Sequence, residues 1–244
     1  MSQRAGITSA EREKDKALVK PKDPVQSKQA TLLAQDTGHF SLVRALHLAD
    51  AITEMNGFCG FMAVLSAMRY AMGDPSHFTN LYAAFIFPVA GLMFDFLDGK
   101  VARWRKKSSL MGQELDSLAD LISFGVAPAS VGFALGLRTN VDHLILSFYV
   151  LCGLTRLARF NVTVAMLPKD ETGKSKYFEG TPIPFACLTS TTIMALWTWM
   201  GAIHDHIPLG IALAGTPFEF HPAAVIFVIN GCLMCSKTLH VPKP

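Results

Sequence analysis

The sequence predicts an all-α polytopic membrane protein, with about six transmembrane helices and an N-terminal amphipathic helix at the membrane interface. Half of the 244 residues are apolar, and only 17% are charged, against about 25% in an average soluble domain. The charge is also uneven, because residues 1–40 hold 12 of the 41 charged residues. The net charge of +3 is too small to indicate a nucleic-acid partner. This composition excludes a disulfide scaffold and a largely disordered chain.

The chain divides into a polar tail and a membrane domain. Residues 1–38 are polar, contain Pro21 and Pro24, and predict a disordered cytosolic tail. Residues 39–244 form the predicted membrane domain. It begins with residues 39–53, whose apolar side chains recur at helical spacing and predict the interfacial helix.

Six apolar stretches follow and predict the transmembrane helices. They cover residues 57–72, 81–97, 118–135, 144–157, 185–200 and 223–235. Several are shorter than the ~20 residues that a spanning helix needs, so we expect flanking polar residues to extend them. The five cysteines lie in or beside these stretches, which favours packing thiols over disulfides.

Lysine and arginine are distributed asymmetrically about these stretches. With the tail in the cytosol, the cytosolic regions contain 20 of the 22 basic residues, and only Arg69 and Arg138 lie elsewhere. Because cytosolic loops are enriched in basic residues, the sequence predicts that both termini face the cytosol. The pair His204 and His206 then falls on the opposite side, where a solvated loop is the expected structure.

Four aspartates cluster near the predicted cytosolic face, and acidic residues in membrane helices are costly enough to indicate function. They are Asp95, Asp98, Asp116 and Asp120. Their i,i+3 and i,i+4 spacings place each pair on one helix face. Mg²⁺ or Mn²⁺ would relieve the repulsion among converging carboxylates. The alternative is a set of ion pairs between Asp98, Asp116 and the basic run 100–107.

Small residues and an arginine accompany the acids. Gly99, Ala102 and Gly112 allow close approach of a helix or a ligand, and Arg103 suits phosphate. The whole run reads D-x2-D-G-x2-A-R-x8-G-x3-D-x3-D from Asp95 to Asp120. It resembles the signature of the CDP-alcohol phosphotransferase family at every fixed position.

That resemblance implies a membrane enzyme with six core helices that displaces CMP from a CDP-linked substrate, using two divalent metals. It implies metal binding by the four aspartates, with Asp120 also the catalytic general base. Contacts to CDP are implied for Gly99, Ala102, Arg103 and Gly112. Upstream, Asp50, Thr53 and Asn56 resemble the family's polar approach to the first core helix, a weaker match, and Asn56 is a further candidate for CDP binding. The family also implies a homodimer.

Residues 39–58 and 167–176 look fungal in type, and this implies an endoplasmic reticulum enzyme. Three further segments resemble the serine-accepting branch of the family. They are residues 109–129, 156–161 and 178–184. The implied donor is CDP-diacylglycerol and the implied acceptor L-serine. A serine carboxylate needs a cation or several amide donors, so Arg159 with Asn161 is the candidate receptor, and Glu179 could receive the ammonium. Alternatively, Arg156 and Arg159 are ordinary cytosolic basic residues.

Two rival functions remain open at this point. Another transferase of the same family would use inositol, glycerol phosphate or an amino alcohol as the acceptor. A divalent-cation transporter would also place carboxylates in the membrane, but along a path through it rather than near one face.

Overall fold

The computed structural model of this chain shows six apolar helical spans in its described residues. It describes residues 48–73, 78–105, 110–166, 177–236 and 240–242. The helices are α1 (Leu48–Met72), α2 (Thr79–Arg105), α3 (Leu110–Asp120), α4 (Ala127–Leu135), α5 (Asn140–Met166), α6 (Ile183–Trp199) and α7 (Val225–Cys235). A π-helical turn, Leu121–Val126, joins α3 to α4, so that Met111–Leu135 is one continuous apolar span.

All six predicted stretches lie in these helices, which confirms the predicted all-α membrane class. Four spans have the length and composition to cross a membrane: Leu48–Met72, Thr79–Val101, Met111–Leu135 and Asn140–Val162. The remaining two, Ile183–Trp199 and Pro222–Cys235, are shorter. One small antiparallel ribbon was not predicted: β1 (Tyr177–Glu179) pairs with β2 (His240–Pro242).

The predicted interfacial helix differs from the structure in the part that is described. Residues 48–53 belong to α1 and continue into the first span without a break. Asp50, Thr53 and Asn56 are all buried, because this end of α1 packs its polar side chains against the neighbouring helices rather than against a membrane surface. Residues 39–47 and the predicted tail, 1–38, lie outside the described residues.

Helix α1 and the π turn pack in close contact through Gly60. A Cβ atom on Gly60 would come within 2.6 Å of the Ser123 Cα, so only glycine allows this approach. Ser123 donates a hydrogen bond from its hydroxyl to the Asn56 carbonyl at 2.8 Å. Because a π turn interrupts the regular helical ladder, its carbonyls need other partners. Tyr149 donates to the Phe124 carbonyl at 2.9 Å.

The five cysteines are free thiols, in agreement with the prediction that they are packing residues.

At the end of the bundle opposite the aspartates, α5 begins with a buried acid. Asp142 accepts hydrogen bonds from the backbone N–H groups of His221 at 3.0 Å and of Thr139 at 3.1 Å. Its Oδ2 also lies 2.6 Å from the His221 Nδ1. These contacts fasten the chain before α7 to the start of α5.

Candidate active site

Helices α2 and α3 bring three aspartates together. One carboxylate oxygen from each of Asp95, Asp98 and Asp116 lies within 4.8 Å of the other two. The i,i+3 spacing puts Asp95 and Asp98 on one face of α2. Asp116 faces them from α3, which returns antiparallel after the connection outside the described residues.

Asp120 lies one helical turn after Asp116 and is buried. Helix α1 supplies a hydrogen-bond donor to each of two acids. Asn56 donates from Nδ2 to the Asp120 Oδ1 at 3.0 Å, and Thr53 donates from Oγ1 to the Asp98 Oδ2 at 2.5 Å. These bonds hold two of the four carboxylates in fixed orientations.

The donor set fits a hard divalent cation. Mg²⁺ and Mn²⁺ prefer carboxylate oxygens, and three such oxygens converge here. Two buried oxygens at the site, Asp116 Oδ1 and Asn56 Oδ1, have no hydrogen-bond partner in the described part of the chain. Since a buried polar atom without a partner is costly, these oxygens also favour a site that a cation completes.

The alternative interpretation was that Asp98 and Asp116 form ion pairs with the basic run 100–107. The position of Lys100 does not support it. Its ammonium lies 4.3 Å from the centre of the Phe96 ring, a cation–π contact on the same helix. Residues 106–109 lie outside the described residues.

The residues expected to contact CDP are placed as follows. A Cβ atom on Gly99 would meet no heavy atom of the described residues within 4 Å, so the space beside this glycine is open. Gly112 lies on α3, one turn before Asp116, and is half-buried. The backbone of Ala102 and Arg103 is helical, and their side chains lie outside the described part. Asn56 contacts Asp120 instead of facing open space.

A cavity of about 120 Å³ adjoins the acids. Its lining residues include Gln113, Asp116, Ser117, Asp120, Arg156, Phe160 and Asn161. The guanidinium Nε of Arg156 is buried and has no hydrogen-bond partner among the described residues. A cationic donor in this state needs an anion, and the cavity provides the room for one.

Asn161 connects α3 and α5 beside the cavity. Its Oδ1 accepts a hydrogen bond from the Ser117 hydroxyl at 3.1 Å. Its Nδ2 donates to the Glu114 Oε2 at 3.2 Å. The amide orientation is therefore fixed from both ends.

The predicted acceptor residues are only partly brought together. Asn161 lines the cavity, but the arginine in the cavity wall is Arg156 rather than Arg159. Helical geometry explains this: at 100° per residue, Arg159 lies about 130° from the centre of the face formed by the four α5 lining residues. Those four are Arg156, Leu157, Phe160 and Asn161. The Glu179 backbone lies in β1, and its side chain is outside the described part.

Sequence reasoning missed two contributions to this site. Ser117 and Glu114 orient Asn161. At 100° per residue their face of α3 lies about 110° from that of Asp116 and Asp120, so helical spacing did not connect them with the motif. The sequence singled out Thr53 only as part of the weak upstream resemblance, and its donation to Asp98 was not predicted.

Six apolar helical spans in the described residues and a partly buried carboxylate cluster define an integral membrane protein with a candidate divalent-metal centre at one end of the bundle. A model of the family described as CDP-alcohol phosphatidyltransferase matches residues 46–230, and the chain belongs to that family.

Several curated relatives are similar to this chain. The CDP-diacylglycerol–serine O-phosphatidyltransferase of Saccharomyces cerevisiae is 53% identical over 92% of this chain and 80% of its own length. The enzyme of the same name from Bacillus subtilis is 37% identical over 55% of this chain and 68% of its own. The archaetidylserine synthase of Methanothermobacter thermautotrophicus is 37% identical, covering 58% of this chain and 55% of its own length.

Proposed function

We propose that this protein transfers the phosphatidyl group from CDP-diacylglycerol to L-serine, giving phosphatidylserine and CMP. The names of the relatives support the donor and the acceptor. The observation on this chain that carries the proposal is the cavity beside the aspartates. It places a buried, unpartnered arginine nitrogen next to Asp116 and Asp120.

In the proposed reaction the serine hydroxyl attacks the phosphorus that carries diacylglycerol. A bond forms between the serine oxygen and phosphorus, and the bond from phosphorus to the bridging diphosphate oxygen breaks, so that CMP leaves. Asp120 takes the proton of the serine hydroxyl, because a hydroxyl that keeps its proton is a poor nucleophile. Asn56 holds the Asp120 carboxylate in place through its 3.0 Å hydrogen bond.

Asp95, Asp98 and Asp116 would hold divalent metal, with Asp120 completing the set for a second ion. Bound Mg²⁺ or Mn²⁺ would neutralise the diphosphate and the charge that develops on the leaving oxygen. Gly99, Ala102, Arg103 and Gly112 would lie along the CDP moiety, and the open space beside Gly99 supports a ligand there.

Arg156 is the group that best fits the serine carboxylate. It lines the cavity of about 120 Å³ beside Asp116 and Asp120. Its planar donors match a carboxylate. Asn161, fixed by Ser117 and Glu114, would complete the acceptor site. Arg159 and Glu179, the other candidates from the sequence, would then act from outside the cavity wall.

The topology and assembly belong to the same proposal. The asymmetry of basic residues supports cytosolic termini and a cytosolic active site. The resemblance to the fungal-type branch of the family supports the endoplasmic reticulum, and the family resemblance supports a homodimer.

The experiment that tests the function is CMP release by purified protein with CDP-diacylglycerol and one acceptor at a time. Serine should support release, whereas inositol, glycerol 3-phosphate and ethanolamine should not. Release with a different acceptor would assign another transferase of the family. A cation transporter would release no CMP with any of them, and the pairing of Asp142 with His221 already counts against an acid-lined path at the opposite end.

A further inference from the structure

The segment between the last two helices, residues 200–221, is here called the outer loop. It lies at the end of the bundle opposite the aspartates. The apolar helices that border it, Ile183–Trp199 and Pro222–Cys235, extend about 25 Å and about 21 Å at 1.5 Å per residue. The hydrocarbon core of a bilayer is about 30 Å thick. Both helices are therefore shorter than the hydrocarbon core is thick, so the outer loop that joins them can reach lipid at its own end of the bundle.

The outer loop is docked on the ends of the helices. Ile207 is buried and packs beside Gly136, where a Cβ atom would come within 2.9 Å of its Cδ1. Tyr70 and His204 contact each other through the hydroxyl and Nε2 at 3.0 Å, with their rings stacked. Burial and the Arg138 guanidinium lower the pKa of His204. The loop is thus a fixed platform.

Large apolar side chains project from this platform. Leu209 is 80% exposed, Phe218 is 70% exposed and Leu213 is 59% exposed. Leu209 and Leu213 also have positive φ angles of 71° and 56°. Glycine and asparagine tolerate that conformation far better than leucine does. Leucine in an exposed, left-handed position gains nothing in water, but it gains from contact with hydrocarbon.

The loop backbone satisfies much of its own hydrogen bonding, as a segment near lipid must. Ala212 and Phe220 pair through both of their N–H groups, at 2.9 Å and 3.2 Å. The Leu213 carbonyl accepts from the Thr216 N–H at 3.1 Å and from the Thr216 hydroxyl at 2.7 Å.

We propose that the outer loop lies in the lipid interface of the leaflet opposite the active site, with Leu209, Leu213 and Phe218 inserted among the acyl chains. The sequence alone predicted a solvated loop on this side. The proposal concerns lipid contact and is independent of the reaction that the protein catalyses.

The test is fluorescence quenching in reconstituted vesicles of phosphatidylcholine. Cys232 and Cys235, the two exposed native thiols, are first replaced by serine. Single cysteines are then introduced as Leu209→Cys and Phe218→Cys and labelled with nitrobenzoxadiazole. Asp205→Cys is the matched control, because Asp205 is an exposed polar residue of the same loop. Each variant must elute as one species and keep the unfolding midpoint of the parent.

Labels at 209 and 218 should be quenched at least twofold more by lipids with a nitroxide on the upper part of the acyl chain than the label at 205. Aqueous iodide should quench the label at 205 most. Equal iodide quenching at all three positions would overturn the proposal in favour of a solvated loop. Protection from both quenchers, relieved by dilution with excess lipid, would overturn it in favour of contact with a second copy. Leu213→Cys replaces either position whose variant fails the folding check.

Discussion

The Asn56 side chain of the first helix donates a hydrogen bond to the Asp120 carboxylate of the third span, at 3.0 Å. Asn56 is fully buried, and its own backbone carbonyl accepts from Ser123. A residue that the motif suggested as a CDP contact is therefore bonded to the proposed general base. Gly91 packs against it so closely that a Cβ atom there would lie 2.8 Å from the Asn56 Oδ1.

Asn56→Ala should lower kcat more than it raises the KM for CDP-diacylglycerol. A hydrogen bond to a charged group contributes about 1.5–3 kcal/mol, which corresponds to a roughly 10- to 150-fold loss of rate. Steady-state CMP release with both substrates varied measures the two constants. Ser130→Ala is the control, because Ser130 bonds only within its own helix, to the Val126 carbonyl, and its loss should change neither constant. A rise in the lipid KM with kcat intact would instead return Asn56 to a direct role in CDP binding.

Asp116→Asn should abolish metal-dependent activity while the protein stays folded, since the substitution is nearly isosteric. Loss of one carboxylate from the cluster of Asp95, Asp98 and Asp116 should cost more than the 10- to 100-fold typical of an outer-shell partner. The measurement is CMP release over a titration of Mn²⁺ and of Mg²⁺. EDTA should silence the wild type, and readdition of metal should restore it.

Asp205→Asn provides the matched control for this experiment, because it makes the same chemical change on the opposite end of the bundle. It should leave turnover and metal dependence unchanged. Substantial turnover of purified Asp116→Asn with either ion would contradict the metal-centre interpretation of the aspartates.

Arg156→Ala should raise the KM for serine and leave the KM for CDP-diacylglycerol nearly unchanged. The lost charge-assisted bond is again worth about 1.5–3 kcal/mol, or roughly 10- to 150-fold in serine affinity. Arg156→Lys should rescue only in part, because a point charge does not reproduce the planar guanidinium. Arg159→Ala is the matched comparison from the same helix and should have the smaller effect. The reverse order would make Arg159 the receptor, and a rise confined to the lipid KM would assign Arg156 to the donor phosphates.

The contrast between these two arginines illustrates what the sequence could and could not specify. Both lie in one short segment, and their charge placed them equally well at the cytosolic membrane face. Only the rotation of α5 separates them, and that rotation follows from helical periodicity together with the knowledge that Asn161 faces the site. The periodicity is readable in the sequence, whereas the direction of the site is a property of the packed bundle.

The elements themselves were predictable to the extent that local signals define them. Six apolar stretches located the helices, and the fixed spacing of four acids located the site. The bonds from Thr53 to Asp98 and from Asn56 to Asp120 join residues 45 and 64 positions apart, and such pairs have no local signature. The π turn after Asp120 was likewise unpredictable, because it depends on tertiary partners such as Tyr149 for its freed carbonyl.

Replacing glycine by alanine is expected to affect stability at Gly60 and substrate binding at Gly99. Gly60→Ala should destabilise the protein, because the new Cβ would come within 2.6 Å of the Ser123 Cα and 2.8 Å of its backbone nitrogen. Overpacking of this kind costs typically about 1–3 kcal/mol.

In Gly99→Ala the new Cβ atom would have no heavy atom of the described residues within 4 Å, so the free energy of unfolding should be unchanged. If the CDP moiety lies against Gly99, the added methyl should instead raise the KM for CDP-diacylglycerol. Thermal unfolding in detergent and CMP release, measured on both variants, separate packing from ligand contact. A Gly99→Ala protein with unaltered kinetics would place the CDP elsewhere, and a Gly60→Ala protein with the wild-type midpoint would mean that α1 can move away from the π turn at little cost.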